Sequence, residues 1–233
     1  MTNNNWKAPK DAALVIVDIQ NDFLEGGNLA VAGANGIIPV VNELRTQFNT
    51  VVQTQDWHPA DHKSFASNNG ADVFTTKEFP YGVQVMWPDH CVQNTKGAEF
   101  HKDLTVAKTD LILKKGANPE IDSYSAFYEN DCKTQPRFEN GNTFTEEMKA
   151  RGIKTLVFTG IARDICVFFN AKDALKEKFN VIVVKDAAAP FDLAQDKVRM
   201  EELTKAGAKI VTAEKLNQVL NNAKQIKNYP SIA

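Results

Sequence analysis

The chain has 233 residues, 43% of them hydrophobic, and its 27 Lys and Arg against 29 Asp and Glu give a formal charge of −2. That apolar content can bury a full core, and the length fits one large α/β domain as well as two small ones. The near-neutral balance, with no basic block or basic-aromatic alternation, argues against nucleic acid and anionic membrane as partners.

The start, MTNNNWKAPK, lacks the apolar centre of an export signal, and no apolar run reaches membrane-spanning length, so a soluble cytoplasmic protein is expected. Cys91, Cys132 and Cys166 are odd in number and show no C-x-x-C spacing, which suits a reducing compartment. In chain order, Ala12 to Val17 is an apolar run of strand length ending at Asp18, and a Gly- and Asn-rich loop from Asn21 to Asn35 follows. Ile37 to Phe48 is helical in pattern, with Pro39 tolerable in its first turn. Thr50 to Thr54 is a second strand, ending at Asp56, and Trp57 to Lys108 reads as one long loop-like stretch rich in Pro, Gly, Asn, His and aromatics. Asp110 to Leu113 is a third strand, ending at Lys114 and Lys115. After another irregular stretch, Thr143-Phe-Thr-Glu146 has the form of a capping box that opens a helix to Arg151. Thr155 to Thr159 is a buried strand, Gly160 to Val167 a tight turn, and Phe168, Ala171, Leu175 and Phe179 mark the packed face of the next helix. A strand at Val181 to Val184, a helix from about Asp192 to Ala206, a strand at Lys209 to Val211 and a helix from Ala213 complete the pattern.

Strands that are apolar throughout and alternate with helices imply an α/β fold, a parallel β-sheet covered by helices on both faces. Ligands of such sheets bind beyond the carboxyl ends of the strands. At those ends this sequence has Asp18, Asp56, Lys115 and Cys166. Cys166 falls in the first turn of its helix, where unpaired N–H groups and the macrodipole favour an anion, so its thiol is expected to ionise more readily than a free cysteine. Steps of four, seven and eleven residues from it give Asn170, Asp173 and Glu177, a polar face that turns the sulfur away from the packed stripe. A thiol, a proton acceptor and a fixed cation are what nucleophilic attack on a carbonyl requires. Other readings stand beside this one. A buried cysteine is often a small core hydrophobe, Asp18 can cap a turn before Asn21, and Lys114 and Lys115 can be a solvated pair of which at most one enters a pocket.

A second constellation is Asp56-Trp-His58, with His62 four residues on and His90 in Trp87-Pro-Asp-His-Cys91. An Asp-x-His pair joined by a further histidine leaves open positions on a metal, the pattern of an ion that handles substrate. Such donors favour zinc, iron(II) or manganese over calcium. His62 is either a further ligand or a supporting neighbour, and His101 reads as exposed.

Five blocks, Val17-Asp-Ile-Gln-Asn-Asp-Phe23, Asp56-Trp-His-Pro-Ala-Asp-His62, Trp87-Pro-Asp-His-Cys-Val92, Lys115-Gly116 and Gly160-Ile-Ala-Arg-Asp-Ile-Cys-Val167, resemble in that order the motifs of the isochorismatase-like cysteine hydrolases. Asp-x-His with Trp-Pro-x-His resembles the nicotinamidase branch, whose members convert nicotinamide to nicotinate and ammonia and often accept pyrazinamide. The resemblance runs on to Lys185-Asp-Ala and Gly207-Ala-Lys-Ile-Val211, and implies a single domain over 1–233 with three-layer α/β/α architecture. It implies Asp18 as general base, Lys115, directly before the glycine, as the charge supporting the thiolate, and Cys166 as nucleophile. Asp56, His58 and His90 would hold one divalent transition metal, zinc before iron or manganese, that binds the pyridine nitrogen of the substrate. Phe23, Trp87 and Tyr124 match ring-pocket positions. A cis peptide between Ile161 and Ala162 would turn the Ala162 and Cys166 N–H groups toward the substrate oxygen. The implied partner is small-molecule nicotinamide, in NAD salvage, and the resemblance leaves room for a homo-oligomer.

The expected chemistry is attack of the Cys166 thiolate on the carboxamide, loss of ammonia, and hydrolysis of the thioester. The chain departs from the family at Arg163, where a small polar residue, commonly threonine, is usual, and at Ile165. A large cation beside that turn either faces solvent or alters substrate choice. Two rival readings are an amidohydrolase of the same architecture acting on carbamoyl or aliphatic amides, which predicts no stoichiometric metal, and a non-catalytic binding protein on the same fold. A nucleotide-binding dehydrogenase is disfavoured because no G-x-G-x-x-G follows the first strand.

Overall fold

The computed structural model describes residues 6–226, so Met1 to Asn5 of the amino-terminal stretch lie outside the described residues. Its strands in chain order are β1 (Ala12–Val17), β2 (Thr50–Asp56), β3 (Thr76–Phe79), β4 (Gly82–Val85), β5 (Leu111–Lys115), β6 (Thr155–Ile161), β7 (Asn180–Ala189) and β8 (Lys209–Val211). The helices are α1 (Ile38–Arg45), α2 (Phe144–Ala150), α3 (Cys166–Lys176), α4 (Leu193–Lys205) and α5 (Ala213–Ile226). Six strands form one parallel sheet in the order β5-β2-β1-β6-β7-β8.

All six residues of β1 are buried, and successive side chains enter opposite layers, as the pleat requires. Leu14 and Ile16 pack with Val41 and Leu44 of α1 and Leu216 and Leu220 of α5. Ala13, Val15 and Val17 pack with Phe144 and Met148 of α2, Phe168 and Ala171 of α3 and Leu203 of α4. The sheet is therefore covered on both faces, as the unbroken apolar strands imply.

β1 pairs with β2 on one side and with β6 on the other, so the chain winds away from β1 in both directions and leaves a crevice at the carboxyl ends between them. Register brings Asp56 of β2 opposite Lys115 of β5. It also sets Gly160 of β6 opposite Val17, at φ 109°, where an added Cβ would overlap the Val17 backbone. Only glycine adopts this conformation without strain at that distance.

The capping box is present: Thr143 Oγ1 accepts the Glu146 N–H at 3.3 Å, and the Glu146 carboxylate accepts the Thr143 N–H at 2.8 Å. Three features differ from the sequence pattern. The stretch from Trp57 to Lys108 contains the antiparallel hairpin β3–β4, which carries no apolar alternation because seven of its eight strand residues are not buried and Gln84 alone is. β7 runs on through Lys185 and Asp186 to Ala189, and His101 has a side chain only 16% exposed rather than open to solvent. No helix among the described residues is long and apolar enough to cross a membrane. The three cysteines are free thiols.

Candidate active site

Four neighbouring strands, β5, β2, β1 and β6, deliver their carboxyl-terminal residues to one place. Asp18 follows β1 with φ 48°, and Thr54 of β2 donates its hydroxyl to Asp18 Oδ1 at 2.6 Å. The other oxygen, Oδ2, lies 3.0 Å from Lys115 Nζ. Lys115 also forms an ion pair with Asp56, donates to the Ser123 carbonyl at 2.9 Å, and reaches Cys166 Sγ at 3.7 Å. Lys114 faces the other way, 3.8 Å from the centroid of the Trp57 ring, so one lysine of the pair enters the site. Ligand atoms of Asp18, Asp56 and Cys166 all lie within 4.8 Å of one another.

These groups are buried together, and that sets their charges. Burial opposes ionisation of Asp56, but Lys115 and then His58 hold its carboxyl well below the usual carboxylate range. Burial pushes Asp18 up, with Lys115 pulling back. Burial also pushes the Cys166 thiol well above its usual value, by more than Lys115 lowers it. The expectation of an easily ionised thiol at a helix start meets an opposing effect here: Cys166 is 6% exposed, and its desolvation outweighs the pull of Lys115. The polar face of α3 begins buried and is partly exposed further on, at Asp173 and Glu177. Asn170 is fully buried, accepting the Ala126 N–H at 2.9 Å and donating to the Cys166 carbonyl at 2.8 Å, which ties the start of α3 to the 122–128 segment. A thiol and a carboxylate this close, beside a fixed ammonium, can pass one proton between them.

Asp56, His58 and His90 present ligand atoms within 4.8 Å of one another. His58 Nδ1 lies 2.9 Å from the Gly116 carbonyl and His90 Nδ1 2.7 Å from the Pro88 carbonyl. Carbonyls only accept, so each ring carries a proton on Nδ1 and, in its neutral form, turns a lone pair on Nε2 toward Asp56, at 3.6 and 3.9 Å. His58 Nε2 is buried without a hydrogen-bond partner. A buried carboxylate with two imidazole lone pairs converging on it suits a divalent transition metal. His62 differs. Its Nδ1 accepts the Ser64 N–H at 3.2 Å, which places the proton of the neutral ring on Nε2, and burial lowers its pKa to about 4.

Above the sulfur lies a cleft lined by Phe23, Trp87 and Tyr124, with Ala162, Ile165 and Phe191. Trp87 Nε1 donates to the Tyr124 hydroxyl at 3.0 Å, and their rings stand 6.3 Å apart at 83°. Phe23 packs on His90 with centroids 5.5 Å apart. The Ile161–Ala162 peptide is cis.

The family model for the isochorismatase domain matches residues 12–215. The chain belongs to the isochorismatase family. A nicotinamidase of Acinetobacter baylyi is 48% identical over 194 residues, covering 83% of this chain and 88% of that protein. Among solved structures, a nicotinamidase and pyrazinamidase of Acinetobacter baumanii superposes with a TM-score of 0.85 at 45% identity, covering 90% of this chain and all of that one. A pyrazinamidase of Pyrococcus horikoshii in complex with zinc superposes with a TM-score of 0.70 at 32% identity, covering 87% and 99%. The six-stranded parallel sheet between helical layers is the fold of this family.

Several residues that shape the site have no role read from the sequence, although Gln20 and Asp22 stand in its first motif block. Gln20 grips Asp56 from both sides, donating to its carbonyl and accepting its N–H, each at 2.8 Å. Asp22 accepts the Cys91 N–H at 2.7 Å and so holds the loop that carries His90. Gln84 reaches in from the hairpin to Asp122 at 2.8 Å and the Tyr124 hydroxyl at 3.0 Å. Each acts across 36 to 69 residues of chain, beyond any local pattern.

Proposed function

We propose that this chain hydrolyses nicotinamide to nicotinate and ammonia, and also accepts pyrazinamide. The observation that carries this reading is the convergence of Asp18 and Lys115 on Cys166, which lines an aromatic slot together with Asp56 and His90. Likeness to nicotinamidases and pyrazinamidases of both sequence and structure supports it. Carbamoyl and aliphatic amides have no ring to fill the slot.

Cys166 rests as a thiol. With the carboxamide above it, Asp18 takes the thiol proton as sulfur attacks the carbonyl carbon, and Lys115 offsets the charge that results. The Ala162 and Cys166 N–H groups receive the developing oxyanion. Asp18 returns its proton to the departing ammonia, then takes one from the water that opens the thioester and hands it back to sulfur. Phe23, Trp87 and Tyr124 hold the ring edge-on and flat.

Asp56, His58 and His90 would hold the metal, zinc first given the zinc-bound Pyrococcus relative. Held there, it would supply Lewis acidity toward the pyridine nitrogen. His62, whose Nδ1 is taken up by Ser64, supports His58, 4.4 Å away between ring centroids. We place the reaction in the cytoplasm, returning nicotinate to NAD synthesis.

The test is ammonia release from nicotinamide, pyrazinamide and propionamide, with metal content measured on the same preparation. Turnover of the two aromatic amides with one transition metal per chain is expected. Turnover of the aliphatic amide alone, with no metal, would move the chain to another branch of the family.

A further inference from the structure

Arg163 follows Ala162 in the turn that leads to Cys166, and its side chain neither lies free in solvent nor lines the cleft. The guanidinium donates from Nε and Nη2 to the two oxygens of Asp196, at 2.7 and 2.6 Å. From Nη1 it donates to the carbonyls of Lys185 and Ala188, the second at 3.1 Å. Its own N–H donates to the Ala189 carbonyl at 2.8 Å. Asp164, the next residue and 4% exposed, accepts the N–H groups of Phe191 at 2.7 Å and Asp192 at 3.0 Å. Two consecutive side chains of the turn therefore grip the end of β7, the loop after it and the first turn of α4. A bidentate arginine–carboxylate pair fixes orientation as well as distance.

What this gripped loop brings to the cleft is Phe191. Its ring stands 6.2 Å from that of Trp87 at 86°, and 6.0 Å from that of Phe74, which is itself 6.2 Å from Trp87. Phe74 and Phe191 are 54% and 38% exposed, so two large apolar rings from separate loops meet over the mouth of the site, uncovered among the described residues.

We propose that Phe191 is a specificity-determining residue, the outer wall of a slot for flat aromatic carboxamides, and that Arg163, through Asp196, is the positioning residue that sets this wall. The proposal rests on the carboxamide hydrolysis described above. A pyridine or pyrazine ring in the slot has Phe191 as well as Trp87 to pack against, at the offset or edge-on angles that aromatic pairs prefer. A short aliphatic amide reaches Cys166 without touching it.

The experiment measures kcat and KM for nicotinamide and propionamide, and nicotinate affinity by calorimetry, in the wild type, Phe191→Ala, Arg163→Ala, Arg163→Lys and the Phe191→Ala/Arg163→Ala double variant. Phe191→Ala is expected to raise the nicotinamide KM and weaken nicotinate about 10-fold, leaving kcat within about twofold and propionamide unchanged. Arg163→Ala shifts the same quantities in the same direction, with Arg163→Lys between it and the wild type. The double variant is expected to be no worse than Phe191→Ala, because Arg163 acts through that ring. An unchanged nicotinate affinity in Phe191→Ala overturns the proposal, as does an Arg163→Ala loss that multiplies on top of it or falls on kcat for both substrates alike. Wild-type protein that releases no ammonia from nicotinamide strikes the underlying reaction instead, and so separates the two failures.

Discussion

Replacing Lys115 by Met keeps most of the side-chain length and removes the one positive charge between two buried carboxylates. Nζ lies 3.0 Å from Asp18 Oδ2 and also pairs with Asp56. At an effective dielectric of about 20, a single pair at that distance is worth about 5–6 kcal/mol of attraction. Asp18 recovers part of it by taking a proton, so a net loss of about 3–5 kcal/mol is expected at pH 8. The sign of the pH dependence follows from burial, which already pushes Asp18 up while Lys115 pulls it back. Without the lysine that pKa rises further, and between the unfolded and folded values the folded variant holds a proton that the unfolded chain lacks. Stability of the variant then falls as pH rises through that window, more steeply than in the wild type, and its deficit shrinks toward pH 5. Denaturant unfolding at pH 5 and 8, with a chelator present so that no bound cation replaces the ammonium, reads both quantities. A deficit under about 1 kcal/mol, the range of an exposed ion pair, or one equal at both pH values, would refute the role of Lys115 as their counter-charge.

Two further substitutions have definite outcomes. Gly160→Ala forces an L side chain to φ 109° and sets its Cβ against the Val17 backbone, so a loss of more than about 3 kcal/mol is expected, and an unchanged melting temperature would contradict the packing described. Glu129 is raised to about 7 by burial and then by Asp131, and one of its oxygens is buried without a partner. Its folded pKa exceeds the unfolded one, so it weakens the fold as pH climbs from its ordinary value through about 7. Glu129→Gln is accordingly expected to gain about 1–2 kcal/mol at pH 8 and almost nothing at pH 5, and equal melting shifts at the two pH values would count against it.

What could be read from the sequence divides along physical lines. Buried parallel strands are near-continuous apolar runs, so Ala12–Val17 and Thr155–Thr159 announce themselves, and the polar residue that ends each run, Asp18 or the turn toward Cys166, marks the ligand end of the sheet. The hairpin β3–β4 was hidden because it buries almost nothing, and alternation is a record of burial. Chemistry at the site was legible as residue types and not as charge states. Position at a helix start predicts an acidic thiol, while burial, which a linear pattern does not contain, shifts the Cys166 thiol the other way. The same holds for Arg163, where the sequence offers a cation beside the oxyanion turn and the structure turns it away to a carboxylate 33 residues on.

The most direct test of the site is to quench the protein with acid during turnover of nicotinamide and map its three cysteine peptides by mass spectrometry. A nicotinoyl thioester on Cys166, absent from Cys91 and Cys132 and abolished together with turnover in Cys166→Ala, is the expected result. Turnover that survives Cys166→Ala, or an acyl group found on another cysteine, would contradict the assignment of the nucleophile.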